Sequence, residues 1–435
     1  MGGARGLTRR RLLLGGAGLG LAAALGVTTA GSPFGGGRRS IAYWHLFGGG
    51  DGVRMREMLD TFGTSGTDID VAELILPWGN PYYTKLSLAA TGGRPPDVAV
   101  MHATRIAQFA PGNLLEPLPL DLLAEHGIGE DKFLPKLWKA GQWNGTQYAL
   151  PLDTHPFVFY YNTDFAEKAG LLGEDKRLKP LKGPDQVLDA FAAAKKAGAP
   201  SGVAFETRGV TPWRLFLTLY TQAGGPPVVG AEGRRLTLDD DKALRALEWM
   251  GQINERKLGA GDLDYQASVA FFGNKSAAFA FNGEWEVTTF QTQKLPFGMA
   301  TIPTILDKPA TQADSHTFVL PRANRSPERR EAAIEFIAGL VKQSLTWTKG
   351  GHVPAFKATY DSAEYRKLSP QSDYASAADN VVFDPLAWYS GSGSNMEAEA
   401  GQAFKTVLIG TATPEQGLAA FKKAMDRLVD IPTPV

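Results

Sequence analysis

The chain has 435 residues and carries 45 Lys and Arg against 45 Asp and Glu, so its formal net charge is 0 at pH 7. That balance excludes the basic footprint of a nucleic-acid binder and gives no pull toward an anionic membrane. Cys is absent, which excludes disulfides, thiolate metal sites and cysteine nucleophiles, while the length predicts two lobes with separate cores.

The first thirty residues read as an export signal. Arg5, Arg9, Arg10 and Arg11 precede an apolar run over 12–27, followed by the small residues Thr28-Thr29-Ala30. Thr8-Arg9-Arg10-Arg11-Leu12-Leu13 resembles the twin-arginine pattern, which predicts export in the folded state. The run is shorter than the roughly 20 residues a membrane span needs. With no Cys for lipid attachment, the protein is expected to be extracellular or held at the cell surface by other means. Residues 31–39 read as a flexible leader.

Beyond the leader, Ser40-Ile41-Ala42-Tyr43-Trp44 reads as a buried strand that ends at His45 and Gly48-Gly49-Gly50. A helix over 53–62, a strand over 69–76, a helix over 81–90 and a strand over 97–101 follow. This alternation predicts mostly parallel sheets flanked by helices. The apolar stretch 148–161, broken by Asp153, Thr154 and His155, is long enough to cross between lobes. Helices are expected over 184–197 and 238–258, a strand over 276–281, and a return crossing over 298–303. The last third reads as helical over 327–342, 396–409 and 414–428, the last entered through Thr413-Pro414-Glu415.

Aromatic residues gather at the ends of these elements. Several of Trp44, Trp78, Trp213, Trp285, Trp388 and Tyr389 lie beside Pro, Gly or Asn and not along mid-helix stripes. Ends of strands in open sheets are where ligands bind. A sugar offers apolar faces rimmed by hydroxyls, so flat rings interleaved with Asp153, His155, Asn282, Glu284, His102 and Arg105 fit its recognition. His45, His102, His155 and His352 form no HxH or HExxH pattern, so neither metal nor cofactor is expected. Gly48-Gly49-Gly50 lacks the spacing of a phosphate-binding loop and is better suited to close backbone approach.

The chain resembles the solute-binding proteins of bacterial ABC importers, in the group that contains maltose- and oligosaccharide-binding proteins. The resemblance rests on Ile41-Ala42-Tyr43-Trp44, Tyr82-Tyr83-Thr84-Lys85-Leu86, Gly93-Arg94-Pro95-Pro96-Asp97-Val98 and Leu114-Leu115-Glu116-Pro117-Leu118. Tyr148-Ala149-Leu150-Pro151, Phe159-Tyr160-Tyr161-Asn162, Ala278 through Trp285 and Gly350-Gly351-His352 complete it in order. It implies a two-lobe α/β fold of the periplasmic-binding-protein type II kind, with a hinged cleft. The first lobe would take residues 40–150 and 303–360, and the second 154–300 and 361–435, with crossings near 150–154 and 298–303. It further implies sugar stacking on Trp78, Trp285 and Trp388 or Tyr389, with Trp213 as a further cleft aromatic and Asp153 as an acidic hydrogen-bonder. His45, His102, Arg105 and His352 would lie on loops that reach the sugar.

The expected function is capture of a carbohydrate, a di- or oligosaccharide, by lobe closure without chemistry. The protein would act as a monomer that serves the membrane permease subunits of an importer. The competing reading is a secreted glycoside hydrolase or lyase that uses Asp153 and Glu284 as acid and base.

Overall fold

The computed structural model describes residues 39–432 except Glu232, so the expected export signal and nearly all of the leader lie outside the described residues. In chain order the strands are β1 (Arg39–His45), β2 (Ile69–Ile75), β3 (Val98–His102), β4 (Leu115–Glu116), β5 (Gln142–Trp143), β6 (Thr146–Gln147), β7 (Ala149–Pro151) and β8 (Asp153–Asn162). There follow β9 (Ser201–Ala204), β10 (Ala277–Gly283), β11 (Phe297–Thr301), β12 (Thr311–Asp314), β13 (His316–Pro321), β14 (Val353–Pro354) and β15 (Val381–Val382).

These strands build two large sheets, one per lobe. The first has the order β2-β1-β3-β13-β4 with β7 on β13, and the second β15-β12-β8-β10-β9 with β11 and β14 on β8. Both sheets are mixed, which corrects the expectation of mostly parallel ones. β1 is parallel to β2 and β3, but β13 runs antiparallel to β3, β4 and β7. β8 likewise opposes β10, β11, β12 and β14. The physical reason is direction of entry. β1 and β3 run toward the cleft, whereas β8 and β13 begin there, just after the chain has changed lobes.

β8 shows how the sequence dictates the packing. All ten of its residues are buried, and its side chains alternate between two cores as the period of two requires. Phe157, Phe159 and Tyr161 face a core built with the helices Pro184–Lys196, Thr211–Gln222 and Asp240–Glu255, while Val158 and Tyr160 face Phe272, Phe290 and Tyr374. Burying one such side chain contributes roughly 1.5–3 kcal/mol. The first lobe has its own core of Ile41, Tyr43, Val98, Val100, Phe318 and Leu320, covered by the helix Pro327–Lys342. Ser326 caps that helix by accepting the backbone N–H of Arg329 at 3.3 Å, with Pro327 in its first turn. Among the described residues no helix is long and apolar enough to cross a membrane.

The lobes are joined by very short crossings. Only Leu152 separates β7 in the first sheet from β8 in the second, and only Ser315 separates β12 in the second sheet from β13 in the first. The return therefore falls at 314–316, not at the expected 298–303. That earlier segment is β11 and its exit, paired with β8 inside the second sheet. Its apolar side chains suit a sheet interior, whereas the true crossing, Asp314-Ser315-His316, is polar because its groups satisfy one another at the hinge. Ser315 Oγ donates to the backbone carbonyl of Asp153, and Thr154 Oγ1 donates to that of Asp314 at 2.9 Å. Residues 303–314 accordingly pack with the second lobe.

Candidate functional site

Between the lobes lies a cavity of about 900 Å³. The first lobe lines it with the turn after β1 (46–51) and the turn after β2 (75–78), together with His102 at the end of β3. The second lobe supplies Glu206, Arg214, Tyr265 and Trp285, and the crossings supply His155 and His316. The lobes touch on both sides of it. A Cβ on Gly50 would stand 3.0 Å from Cβ of Thr288, so the glycine permits that approach. Opposite, Ser392 donates its backbone N–H to Thr104 Oγ1 at 3.1 Å, and Asn80 reaches Asn395 at 3.4 Å.

Of the residues the sequence singles out for ligand recognition, Trp78, His102, His155 and Trp285 line the cavity. Trp78 is 43% exposed and offers a free ring. Trp285 is held more firmly. Its indole N–H donates to Tyr265 Oη at 2.6 Å, and the Arg214 guanidinium lies 5.3 Å above its ring. Its ring also folds back over Gly283, where a Cβ would come within 2.0 Å of it. His102 receives or donates a hydrogen bond at Nδ1 with Tyr83 Oη at 2.6 Å, and burial, with His316 and His155 adding, holds its pKa well below the ordinary value.

The other candidates lie elsewhere, each for a packing reason. Trp213 is wholly buried in the second lobe's core, with its indole N–H on Asp384 Oδ1 at 3.0 Å and its ring near Phe404 and Phe421. Tyr389 is buried in the same core, with its hydroxyl on the carbonyl of Gly233, and Trp388 packs against it edge-on. Trp44 packs on the first lobe's core with the Lys85 ammonium over its ring. His45 is buried against Glu73 at 2.8 Å. Arg105 stacks on Tyr83 at 4.2 Å, and Asn282 turns its side-chain oxygen onto the N–H of Gly283 at 2.8 Å.

Asp153 and His352 stand beneath the cavity floor. The Asp153 carboxylate accepts the backbone N–H of His316 at 2.8 Å and the indole N–H of Trp347 at 2.6 Å. It also contacts Nδ1 of His316, His155 and His352 at 2.8, 3.2 and 3.3 Å. Burial opposes its ionisation, but the surrounding imidazoles outweigh this and hold its pKa well below the usual range. The same burial, with His316 close by, lowers His155 to about 3. Glu284, wholly buried beside His352, is pushed up to about 7 chiefly by desolvation. Neither Asp153 nor Glu284 lines the cavity, so the pair does not face a substrate across the cleft as acid and base must.

Sequence reasoning missed Arg214, Tyr265, Glu206 and His316. Arg214 directly follows Trp213 in the sequence. On the helix Thr211–Gln222 the step of about 100° per residue sends Trp213 into the core and Arg214 into the cavity. Behind Arg214, Asp384 and Glu397 are buried together. Desolvation and the neighbouring Asp384 raise Glu397 to about 8 against the pull of Arg214.

Two lobes on short crossings, closed around a cavity that offers flat rings and hydrogen-bonding groups, have the build of a hinged receptor for a small solute. The chain belongs to the bacterial extracellular solute-binding protein family, which it matches over residues 51–341, and it is accordingly a binding protein and not an enzyme. Its fold is similar to that of the GacH receptor of Streptomyces glaucescens GLA.O, with 18% identity, a TM-score of 0.76, and coverage of 91% of this chain and 100% of that one. It is similar also to maltose-bound MalE3 of T. maritima, with 22% identity, a TM-score of 0.74, and coverage of 89% and 99%. By sequence it is 24% identical over 285 residues to a maltooligosaccharide ABC transporter solute-binding lipoprotein of Streptococcus pneumoniae R6, a match that spans 62% of each chain. It is 22% identical over 412 residues to the sn-glycerol-3-phosphate-binding periplasmic protein UgpB of Yersinia enterocolitica, spanning 87% of this chain and 89% of that one.

Proposed function

We propose that the protein captures a carbohydrate, a di- or oligosaccharide, and presents it to the permease of an ABC importer. The observation that carries this reading is the pair of tryptophans, Trp78 on one lobe and Trp285 on the other, that line a single cavity of about 900 Å³. A pyranose ring stacks its C–H faces on such rings while Glu206, His102, Tyr265 and Arg214 pair its hydroxyls. Ligand bound to one lobe gains contacts from the other only on closure, so it favours the closed state by that difference. The volume lies at the large end for small-molecule sites, which suits more than one sugar ring. Relatives point the same way through their names, the pneumococcal lipoprotein for maltooligosaccharides and MalE3 for maltose.

The name of UgpB raises a phosphorylated polyol as the second reading. The charge of the cavity disfavours it. Among the described residues Arg214 is the one Arg or Lys side chain lining the cavity, against the carboxylates of Asp51, Glu206 and Glu286. The twin-arginine-like segment outside the described residues adds the proposal that the chain is exported folded.

A thermal-shift screen of the mature chain against mono-, di- and oligosaccharides and sn-glycerol 3-phosphate tests the assignment. A rise in melting temperature with an oligosaccharide series, recovered intact, supports it. A rise with glycerol phosphate alone overturns it.

A further inference from the structure

Asp153 and His155 at the start of β8, His316 at the start of β13 and His352 just before β14 converge below the cavity. All four are buried, and one ligating atom from each lies within 4.8 Å of the others. Nδ1 of His155, His316 and His352 stand 3.2, 2.8 and 3.3 Å from the Asp153 carboxylate. A tetrahedral ion with bonds of roughly 2.0–2.1 Å holds its ligands about 3.3 Å apart. Three of these spacings therefore need only about half an ångström of adjustment, and the widest roughly 1.5 Å.

The surroundings are those of a ligand set and not of a chance cluster. Asp153 is oriented by the backbone N–H of His316 and the indole N–H of Trp347. His352 turns Nε2 onto Asp51 Oδ1 at 2.9 Å, the carboxylate pairing that fixes a metal-bound imidazole. Nδ1 of His352 faces two carboxylates, those of Asp153 and Glu284, and in the metal-free protein it is held as a proton donor to them. Both Glu284 oxygens are buried, and Oε1 lies 2.9 Å from that nitrogen. A metal cation bound there would take the place of that proton and stay paired with the same carboxylates.

We propose that His155, His316 and His352, each through Nδ1, and the Asp153 carboxylate bind one divalent transition-metal ion. Three imidazoles and one carboxylate suit Zn²⁺, and they do not suit Mg²⁺ or Ca²⁺, which take oxygen ligands. The ion enters from the cavity, which His155 and His316 line. Because its ligands lie at both crossings and on the segment leading into β14, it ties the hinge together. This inference is independent of which solute the cavity holds.

The test is a ZnCl₂ titration by calorimetry of the EDTA-treated full mature chain, freed of any affinity tag, with metal content measured after desalting. One equivalent is expected, with a higher melting temperature in its presence and no competition from Mg²⁺ or Ca²⁺. H316Q and H155Q should each weaken binding at least tenfold, while H126A, which alters the one histidine outside both lobes' buried sets, should not. Absence of Zn²⁺ uptake by the wild-type chain overturns the proposal whatever the variants do. So does an equivalent that survives in H155Q, and this variant decides the matter if H316Q fails to melt cooperatively.

Discussion

A substitution at Trp213 and one at Trp285 should separate packing from binding, because the two indoles have opposite surroundings. Trp285 lines the cavity over Gly283, so W285A should weaken ligand binding by about 10- to 100-fold, or ~1.5–3 kcal/mol, while the ligand-free melting temperature changes little. W213A leaves a hole in the second lobe's core and should cost about 3–5 kcal/mol in urea unfolding, with affinity of the folded protein unchanged. The reverse pattern would exchange their roles. Gly283 belongs with Trp285. A methyl there meets the indole, so G283A should lower affinity by displacing the ring, read by the same titration and by tryptophan fluorescence. At this scale the sequence is only partly legible. Proximity to Pro or Gly marks the end of an element but not the direction of a side chain, which is why Trp78 and Trp285 reach the cavity and Trp213 and Tyr389 do not. The histidine cluster is invisible to spacing rules because its members come from three segments brought together by the crossings alone.

Helices and strands, by contrast, are written locally. The helix expected over 327–342 is found at Pro327–Lys342, and that expected over 414–428 at Pro414–Val429. Its entrance is a capping box in which Thr413 Oγ1 accepts the N–H of Gln416 at 3.3 Å and Gln416 Oε1 accepts the N–H of Thr413 at 3.0 Å. T413A should therefore cost about 1 kcal/mol in equilibrium unfolding. A loss of no measurable size would mean that packing of Leu418, Phe421 and Met425 fixes the helix unaided. The return crossing lies away from the expected 298–303 because a short apolar stretch reads alike in a sheet interior and in a linker, whereas Ser315 is a linker by virtue of partners distant in sequence. Local pattern reports what an element is and not which sheet receives it.

Across the whole molecule, buried acids set the response to pH. Glu397, raised to about 8, binds its proton more tightly folded than unfolded, where a glutamate titrates near about 4.3. The folded state thus carries the extra proton between those values, and its stability is fully present below them and declines as pH rises. Melting temperature followed from pH 5 to 9 should fall less steeply in E397Q than in the unaltered chain. Equal slopes would assign the decline to Asp314 or Glu284, each raised to about 7 by burial. The strand pairings carry a different consequence, for the order of assembly. His102 at the end of β3 pairs with His316, and Pro156 in β8 pairs with Ala313. Neither sheet has its full set of neighbours until residues past 316 have been synthesised, so neither lobe completes its sheet before that point. Closing such long loops is slow, and a nascent chain cut short before β12 would leave both halves unfinished at once.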